Sequence, residues 1–235
     1  MNISTKVTAY TLLAALLAAT SATTALADDS VRANEIRVGA YFVMYDAKAD
    51  DLSGPYVPPG VNVDVKNVNT PYFAYIRRLS PHFVAQLAAG VPPKTETVGK
   101  GPATVGSVPF NGQIVSTAKW FSPSLLVNYV FRDESATLRP YLGVGVNYTR
   151  FYDLKSTPAG DAANGGPTAI TLKSSLGPVA TAGLRWHLKD RWSVYASYDV
   201  ARVNTDYVGN TAGVIRRTHI KFNPSTLVVS VGYAF

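Results

Sequence analysis

Hydrophobic and polar residues alternate along much of the chain from residue 35 onward. Eight segments show this period of two, which is typical of strands with one apolar face and one polar or small-residue face. In the last segment, apolar residues occupy every second position from Leu227 to Tyr233, with small residues such as Ser230 and Gly232 between them. The pattern predicts strands over residues 35–45, 71–77, 83–91, 125–131, 141–149, 180–188, 192–200 and 226–235.

The segments that join these strands alternate in length. Three are short, at residues 78–82, 132–138 and 189–191, whereas four are long, at about 46–70, 92–119, 152–173 and 205–221. Transmembrane β-barrels have short periplasmic turns and long outer loops. The alternation therefore predicts an all-β fold, an eight-stranded antiparallel transmembrane β-barrel with four long extracellular loops.

The four long segments are rich in Gly, Pro, Asn and Thr. Such composition favours turns and irregular backbone over helices and strands. We therefore expect these segments to be loops, and we expect residues 156–168 to be mobile rather than regular.

A soluble β-sandwich would show the same alternation, with its apolar faces turned inward. Two features favour the barrel instead. Polar residues or glycine occupy the opposite faces, and aromatic residues lie near the ends of the apolar stripes, as in the girdles at the two membrane interfaces. These aromatic residues are Tyr129, Phe131, Tyr148, Trp186, Trp192, Tyr233 and Phe235.

The N-terminal segment has the features of a cleavable export signal. Lys6 precedes an apolar run over residues 7–17, and small residues then lead to Ala25 and Ala27. A positive charge, a short apolar core and an A-x-A site define secretory signals. The sequence therefore predicts a signal peptide over residues 1–27 and a single exported barrel over residues 28–235.

Composition excludes several classes of protein. Apolar residues form 47% of the chain and charged residues 16%, yet no later run of about 18 apolar residues predicts a membrane-spanning helix. Cysteine is absent, so disulfides and cysteine sites are excluded. The net charge of +7 includes no basic cluster longer than a pair, which favours anionic lipid head groups over nucleic acid as partners. No motif implies a cofactor or a metal site.

Three stretches resemble the outer membrane protein W (OmpW/AlkL) family. They are residues 121–125, 139–149 and the C-terminal stretch 222–235. The resemblance implies a Gram-negative outer-membrane barrel with a narrow, largely hydrophobic passage for small apolar molecules, released sideways into lipid or toward the periplasm. It also implies that Tyr233 and Phe235 form the assembly signal read by the barrel-insertion machinery. Outer-membrane lipid and lipopolysaccharide are further expected partners.

An eight-stranded barrel has room only for side chains or one small ligand, so a general porin is excluded. Inward positions therefore provide the candidates for ligand contact. For any single one of them, structural packing of the lumen is the stronger alternative. The candidates are Leu126, Asn128, Tyr141, Asn147, Arg185 and Tyr195.

Three prolines mark a candidate opening in the barrel wall. Pro92 and Pro93 end the third predicted strand, and Pro123 precedes the fourth. Proline lacks the N–H that a strand ladder needs, so a lateral seam between these strands is one hypothesis. Ordinary strand termination is the other, because prolines commonly fall at strand ends.

Two other functions remain open from the sequence. The outer loops fit a structural or interaction role, with phage, host or envelope partners. A lipid A-modifying enzyme is disfavoured because acyl chemistry needs a base beside a nucleophile. Of the three histidines, His82 and His187 fall at predicted periplasmic strand ends, and His219 is expected in a solvated loop. We therefore do not expect an enzyme.

Overall fold

The structure, a computed structural model, describes residues 32–105 and 107–235. The predicted signal peptide lies outside the described residues. Residues Ala33–Phe235 form one compact unit. Its elements are β1 (Asn34–Tyr45), β2 (Lys48–Ala49), β3 (Asn62–Val65), β4 (Val68–Arg78), β5 (Phe83–Gly90), β6 (Lys94–Lys100), β7 (Thr104–Val105), β8 (Val108–Pro109), β9 (Ile114–Phe121), β10 (Ser124–Val130), β11 (Leu138–Ser156), α1 (Pro158–Asn164), β12 (Thr168–Leu172), β13 (Ser175–Lys189), β14 (Trp192–Ala201), β15 (Asn204–Thr211), β16 (Val214–Lys221) and β17 (Pro224–Ala234).

Within the described residues, eight strands close into a barrel. Each pairs antiparallel with two neighbours, in the order β1, β4, β5, β10, β11, β13, β14, β17 and back to β1. Closure leaves no sheet edge, which is the condition for strands to lie in hydrocarbon. The predicted eight-stranded antiparallel barrel is confirmed, and every predicted strand corresponds to one strand of the ring.

The barrel is apolar outside and polar inside. Leu176 and Val144 on the outer surface are 72% and 68% exposed, whereas Asn128 inside is 1% exposed. This inverts the arrangement of a soluble protein and matches a lipid-facing band. Aromatic pairs lie at the rim, where the Trp192 and Tyr233 rings are 4.9 Å apart. No helix among the described residues is long and apolar enough to span a bilayer.

Strands run through all four long segments, so the expectation that these segments are only loops was wrong. Beyond the barrel, β9, β6 and β3 extend the wall from the distal part of β11. On the other side, β12, β15, β16 and β2 form a four-stranded sheet. Backbone pairing in three dimensions overrides the weak strand propensity of these polar sequences. Ala212 and Gly213, both at positive φ, supply the two-residue turn between β15 and β16.

Residues 156–168 also contain regular structure, contrary to expectation. Helix α1 begins after Thr157, whose hydroxyl accepts a hydrogen bond from the Gly160 amide at 3.1 Å. Pro158 occupies the first helical turn, and Gly165 ends the helix at a φ of 83°. These are the ordinary start and stop residues of a helix. The sequence contained the signal, but composition alone had suggested a loop.

Close packing inside the barrel gives the first testable prediction. A Cβ on Gly143 of β11 would collide with Asn128 Oδ1. Gly143→Ala therefore has to displace a buried amide, and we expect it to lower the free energy of unfolding by roughly 1–3 kcal/mol. Urea unfolding in detergent micelles measures the change. Val144→Ala, which alters the adjacent lipid-facing position, is the matched control, and equal stability of the two variants would contradict the prediction.

Candidate functional site

Connected polar side chains fill the barrel lumen in the half nearer the short turns. The Arg37 Nε donates to Glu35 Oε1 at 2.6 Å, and the Tyr195 hydroxyl donates to Glu35 Oε2 at 2.7 Å. The Arg37 guanidinium carbon lies 3.5 Å from the centre of the Tyr195 ring. Paired and hydrogen-bonded in this way, a buried charge avoids most of the cost of leaving water.

Gln86 joins this cluster to the opposite wall. Its Oε1 accepts from Asn128 Nδ2 at 2.8 Å and from Arg37 at 3.4 Å, while its Nε2 donates to Tyr72 at 3.2 Å. Arg185 lies 3.9 Å from Glu35 on the other side. We call this set the plug: Glu35, Arg37, Tyr72, Gln86, Asn128, Arg185 and Tyr195. Six of these seven residues, all but Arg185, are at most 7% exposed, so their side chains occupy the lumen at this level.

A chamber lies on the long-segment side of the plug. Its cavity volume is about 110 Å³, counted as the space open to the centres of water-sized spheres, which is several times the roughly 10–15 Å³ that one water needs. Its walls come partly from barrel strands and partly from the strands that extend them. The main apolar wall residues are Tyr41, Tyr45, Val65, Trp120, Phe151, Val203, Tyr207, Ile220 and Phe222.

Polar groups line the end of the chamber nearest the plug. Asn147 donates to the hydroxyls of Ser122 and Ser124, each at 2.9 Å, and Thr149 donates back to Asn147 Oδ1 at 2.9 Å. Asp199, which also lines the chamber, accepts a hydrogen bond from the Thr181 hydroxyl. The chamber thus combines a large apolar wall with a few fixed polar groups, the usual composition of small-molecule sites.

The barrel wall beside the chamber has a break in strand pairing. Pairing of β5 with β10 stops at Ala88 and Ser124, and pairing of β6 with β9 resumes at Lys94 and Lys119. Between these points, no ladder pair of the described chain joins residues 89–93 to residues 120–123. We call this break the seam. Ser122 and Trp120 border it on the chamber side, while Val91 and Phe121 are exposed on the lipid side.

The three prolines that were predicted to mark an opening all lie at the seam. Their missing N–H groups, however, point toward different neighbouring strands. The Val91 amide donates to Pro71 O at 2.9 Å, toward β4, so the next residue, Pro92, presents its missing N–H to the seam. The Tyr148 amide donates to Pro123 O at 3.0 Å. Because the N and C=O of one strand residue point to the same side, Pro123 lacks its donor on the β11 side. Pro93 leads directly into β6.

The six predicted lumen residues lie in the plug, beside it, elsewhere in the lumen or along the chamber. Asn128, Arg185 and Tyr195 belong to the plug, and Tyr141 lies beside it, with its ring centre 6.0 Å from the Arg37 guanidinium carbon. Leu126 is buried in the lumen at 3% exposure. Of the six candidates, the structure places only Asn147 along the chamber.

Sequence reasoning missed most chamber residues. Asp199 and Tyr41 occupy inward positions of predicted strands, so the alternation alone was sufficient to suggest them. By contrast, Trp120 and Phe151 lie outside every predicted strand, each next to a segment that was predicted to be a loop. No sequence signal showed that these segments continue the barrel wall.

His219 lies in β16 rather than in a loop, and its Nδ1 is 2.9 Å from Asp206 Oδ1. The hydrogen bonds from His219 and Lys173 lower the pKa of Asp206 below its ordinary value of 3.8. A lowered carboxyl pKa stabilises the folded form above the ordinary value, and this contribution is lost as the pH falls through the lowered pKa.

A local acid transition follows from this pairing. We expect the amide NMR signals of β15 and β16 to shift as the pH falls below 3.8, the ordinary pKa of Asp206, and Asp206→Asn to abolish that shift. Asp153→Asn is the control, because Asp153 pairs with Lys119 and Lys155 elsewhere on the surface. An unchanged acid transition in Asp206→Asn would contradict the assignment.

Comparison with known proteins supports the fold and the resemblance. The sequence model of the OmpW family matches residues 35–235. Outer membrane protein W of Vibrio cholerae is 31% identical over 121 residues, covering 52% of this chain and 55% of that protein. The chain therefore spans about half the length of the curated relatives that it matches first. Outer membrane protein AlkL of Ectopseudomonas oleovorans is 24% identical over 178 residues, covering 75% of this chain and 70% of that protein.

A solved structure shows the same fold. The crystal structure of the outer membrane protein OprG from Pseudomonas aeruginosa superposes with a TM-score of 0.78 at 19% identity, covering 87% of this chain and 96% of that one. Together with the family match, this confirms the predicted resemblance, the barrel and the outer-membrane location.

Proposed function

Because the chain belongs to the OmpW family of outer-membrane proteins, we propose that it is a channel for passive uptake of small hydrophobic molecules. One observation carries the proposal. The apolar chamber is closed by the plug on one side and borders the seam on another. Both features suit a ligand that arrives from outside and leaves sideways.

The proposed route has three steps. A small apolar molecule enters among the long segments on the outer side, binds against the apolar wall, and leaves through the seam into the outer leaflet. Lateral exit is favoured because the axial path meets buried charges such as Glu35 and Arg37, beside which an apolar ligand would break hydrogen bonds. The seam instead leads past Val91 and Phe121, which face lipid.

The seam also has the chemistry of a weak point in the wall. Unpaired backbone groups are costly in hydrocarbon, and proline at Pro92 removes one donor that would otherwise lack a partner there. Pairing with the outer neighbours β4 and β11 continues on both sides. The two flanks are thus held in place while the contact between them is missing.

Uptake by whole cells tests this function. Cells that produce the protein and cells that lack it are supplied with a graded set of alkanes and small aromatics, and entry is followed by intracellular conversion or accumulation. We expect faster entry of apolar compounds with the protein and no change for sugars of similar size. Equal entry in both strains would contradict transport and would favour an interaction role for the long segments, for which phage and cell binding are the assays.

The remaining expected partners enter as part of the same proposal. Outer-membrane lipid and lipopolysaccharide surround the apolar band, and the barrel-insertion machinery recognises the last strand. Tyr233 and Phe235 are exposed on the outer surface at the end of that strand, which suits such recognition. The chain is proposed to act without chemistry of its own, as a passage rather than an enzyme.

A further inference from the structure

One acidic side chain lies among the described residues that line the chamber. Among its described lining residues, Asp199 alone bears an ionisable carboxylate, and neither lysine nor arginine lines it. Asp199 lies on β14, between Thr181 of β13 and Thr226 of β17 in the strand register. It therefore lies at the polar end of the chamber, next to the plug.

The two interior carboxylates have different surroundings. Glu35 is neutralised within the plug by Arg37 at 2.6 Å and Arg185 at 3.9 Å. Among the described residues, no lysine, arginine or histidine nitrogen lies within 4.0 Å of the Asp199 carboxylate. The charged group that it faces from below is Arg37, which is already engaged by Glu35. In the part of the chain that the structure describes, the hydrogen-bond partners of Asp199 are the hydroxyls of Thr181 and Ser197.

Hydroxyl donors leave this carboxylate with unused capacity. An ionised carboxylate offers about four acceptor positions, and two hydroxyls fill at most half of them. A charge in a mostly apolar cavity also attracts an opposite charge more strongly than it would in water. Aromatic residues such as Tyr41 and Tyr45 line the chamber nearby, and aromatic faces attract cations as well as apolar tails.

We propose that Asp199 makes the chamber selective for small amphiphiles that carry one apolar tail and one ammonium group. The ammonium group donates to Asp199 at the polar end, and the tail lies against the aromatic wall. A ligand with a carboxylate head is disfavoured because it would meet the like charge of Asp199, and the cation nearby, Arg37, is already paired with Glu35. This inference rests on the proposed function, since it specifies the ligand of the same chamber.

Ligands that share one tail test the inference. The protein is placed in phosphatidylcholine nanodiscs with Trp186→Phe and Trp192→Phe, so that Trp120 in the chamber wall reports binding. Octylamine, octanol and octanoate are titrated at pH 7.5, with empty nanodiscs correcting for partition into lipid. We expect octylamine to bind at least roughly tenfold more tightly than octanoate, as one charge-assisted hydrogen bond provides.

Asp199→Asn keeps the shape and the Thr181 contact but removes the charge. We expect it to abolish most of the preference for octylamine over octanoate while changing octanol binding less than about twofold. Asp199→Thr serves as a second variant if the first folds poorly. Asp206→Asn, which removes the same charge outside the chamber, is the control and should keep the preference.

The outcomes distinguish a failure of this inference from a failure of the proposed function. Equal binding of octylamine and octanoate to the unmodified protein, or a preference that survives in both Asp199 variants, overturns the inference. Failure of octanol to bind contradicts the proposed apolar chamber, and the ratio between the two charged ligands still decides the role of Asp199.

Discussion

A cross-link across the seam is expected to remove most of the protein-dependent uptake of apolar molecules. Val91 and Phe121 lie on opposite flanks at matching register positions, both exposed to lipid. The chain has no cysteine of its own, so Val91→Cys with Phe121→Cys gives one defined bridge, formed by oxidation to a disulfide or by a short bis-methanethiosulfonate, which reacts with both thiols and is cleaved by reduction. If ligands leave through the seam, holding its flanks together blocks the last step of the route.

The matched control lies four residues away along each flank, within β5 and β10. Leu87 and Leu125 face each other where β5 and β10 are already paired, and both are exposed to lipid. A bridge between Leu87→Cys and Leu125→Cys adds the same cross-link at a place where the wall has no gap to close. Uptake is measured in whole cells before and after reduction. Full uptake through the bridged seam, in protein that gel mobility shows to be cross-linked, would exclude lateral release at this site.

Loss of the Arg37 side chain is expected to be the most destabilising single change in the plug. The side chains of Arg37 and Glu35 are 7% and 9% exposed, so Arg37→Leu leaves a buried carboxylate without its closest cation. Breaking a buried pair in this way costs about 3–5 kcal/mol. We expect the free energy of unfolding to fall by this amount. Urea titration in detergent micelles measures the change.

Two further variants show whether the cost arises from the stranded charge. Glu35→Gln combined with Arg37→Leu removes both charges, and we expect it to recover part of the loss because no buried ion is left unpaired. Arg191→Leu removes an exposed arginine at the barrel rim and should cost no more than about 1 kcal/mol. Equal losses for Arg37→Leu and Arg191→Leu would show that the plug does not support the barrel.

The barrel strands and the long segments differ in how well the alternation of apolar and polar residues predicts their structure. In the barrel, lipid outside and side chains inside impose a strict period of two, so even the irregular second strand was predicted near its observed position. In the long segments, neither face meets lipid, and the constraint on each outward residue is lost. Val63 of β3 and Thr97 of β6, for example, line or border the chamber from sequences that read as loops.

The functional residues show the same division. The inward face of each barrel strand could be read from the sequence, which is why plug residues such as Asn128 and Tyr195 were among the candidates. Which inward residues meet each other depends on the stagger between strands, and the stagger is fixed by pairing around the closed ring. The sequence therefore could not show that Arg37 pairs with Glu35, or that no described cation pairs with Asp199.

By itself, the sequence determined that this protein is an eight-stranded outer-membrane barrel, because a lipid-facing strand must alternate and a spanning sheet must close. The tertiary structure decided where the barrel is filled and where it is hollow. It also decided that the long segments fold as a continuation of the wall, since their backbone groups find partners only on strands distant in sequence. The chamber, the seam and the solitary Asp199 all follow from those long-range pairings.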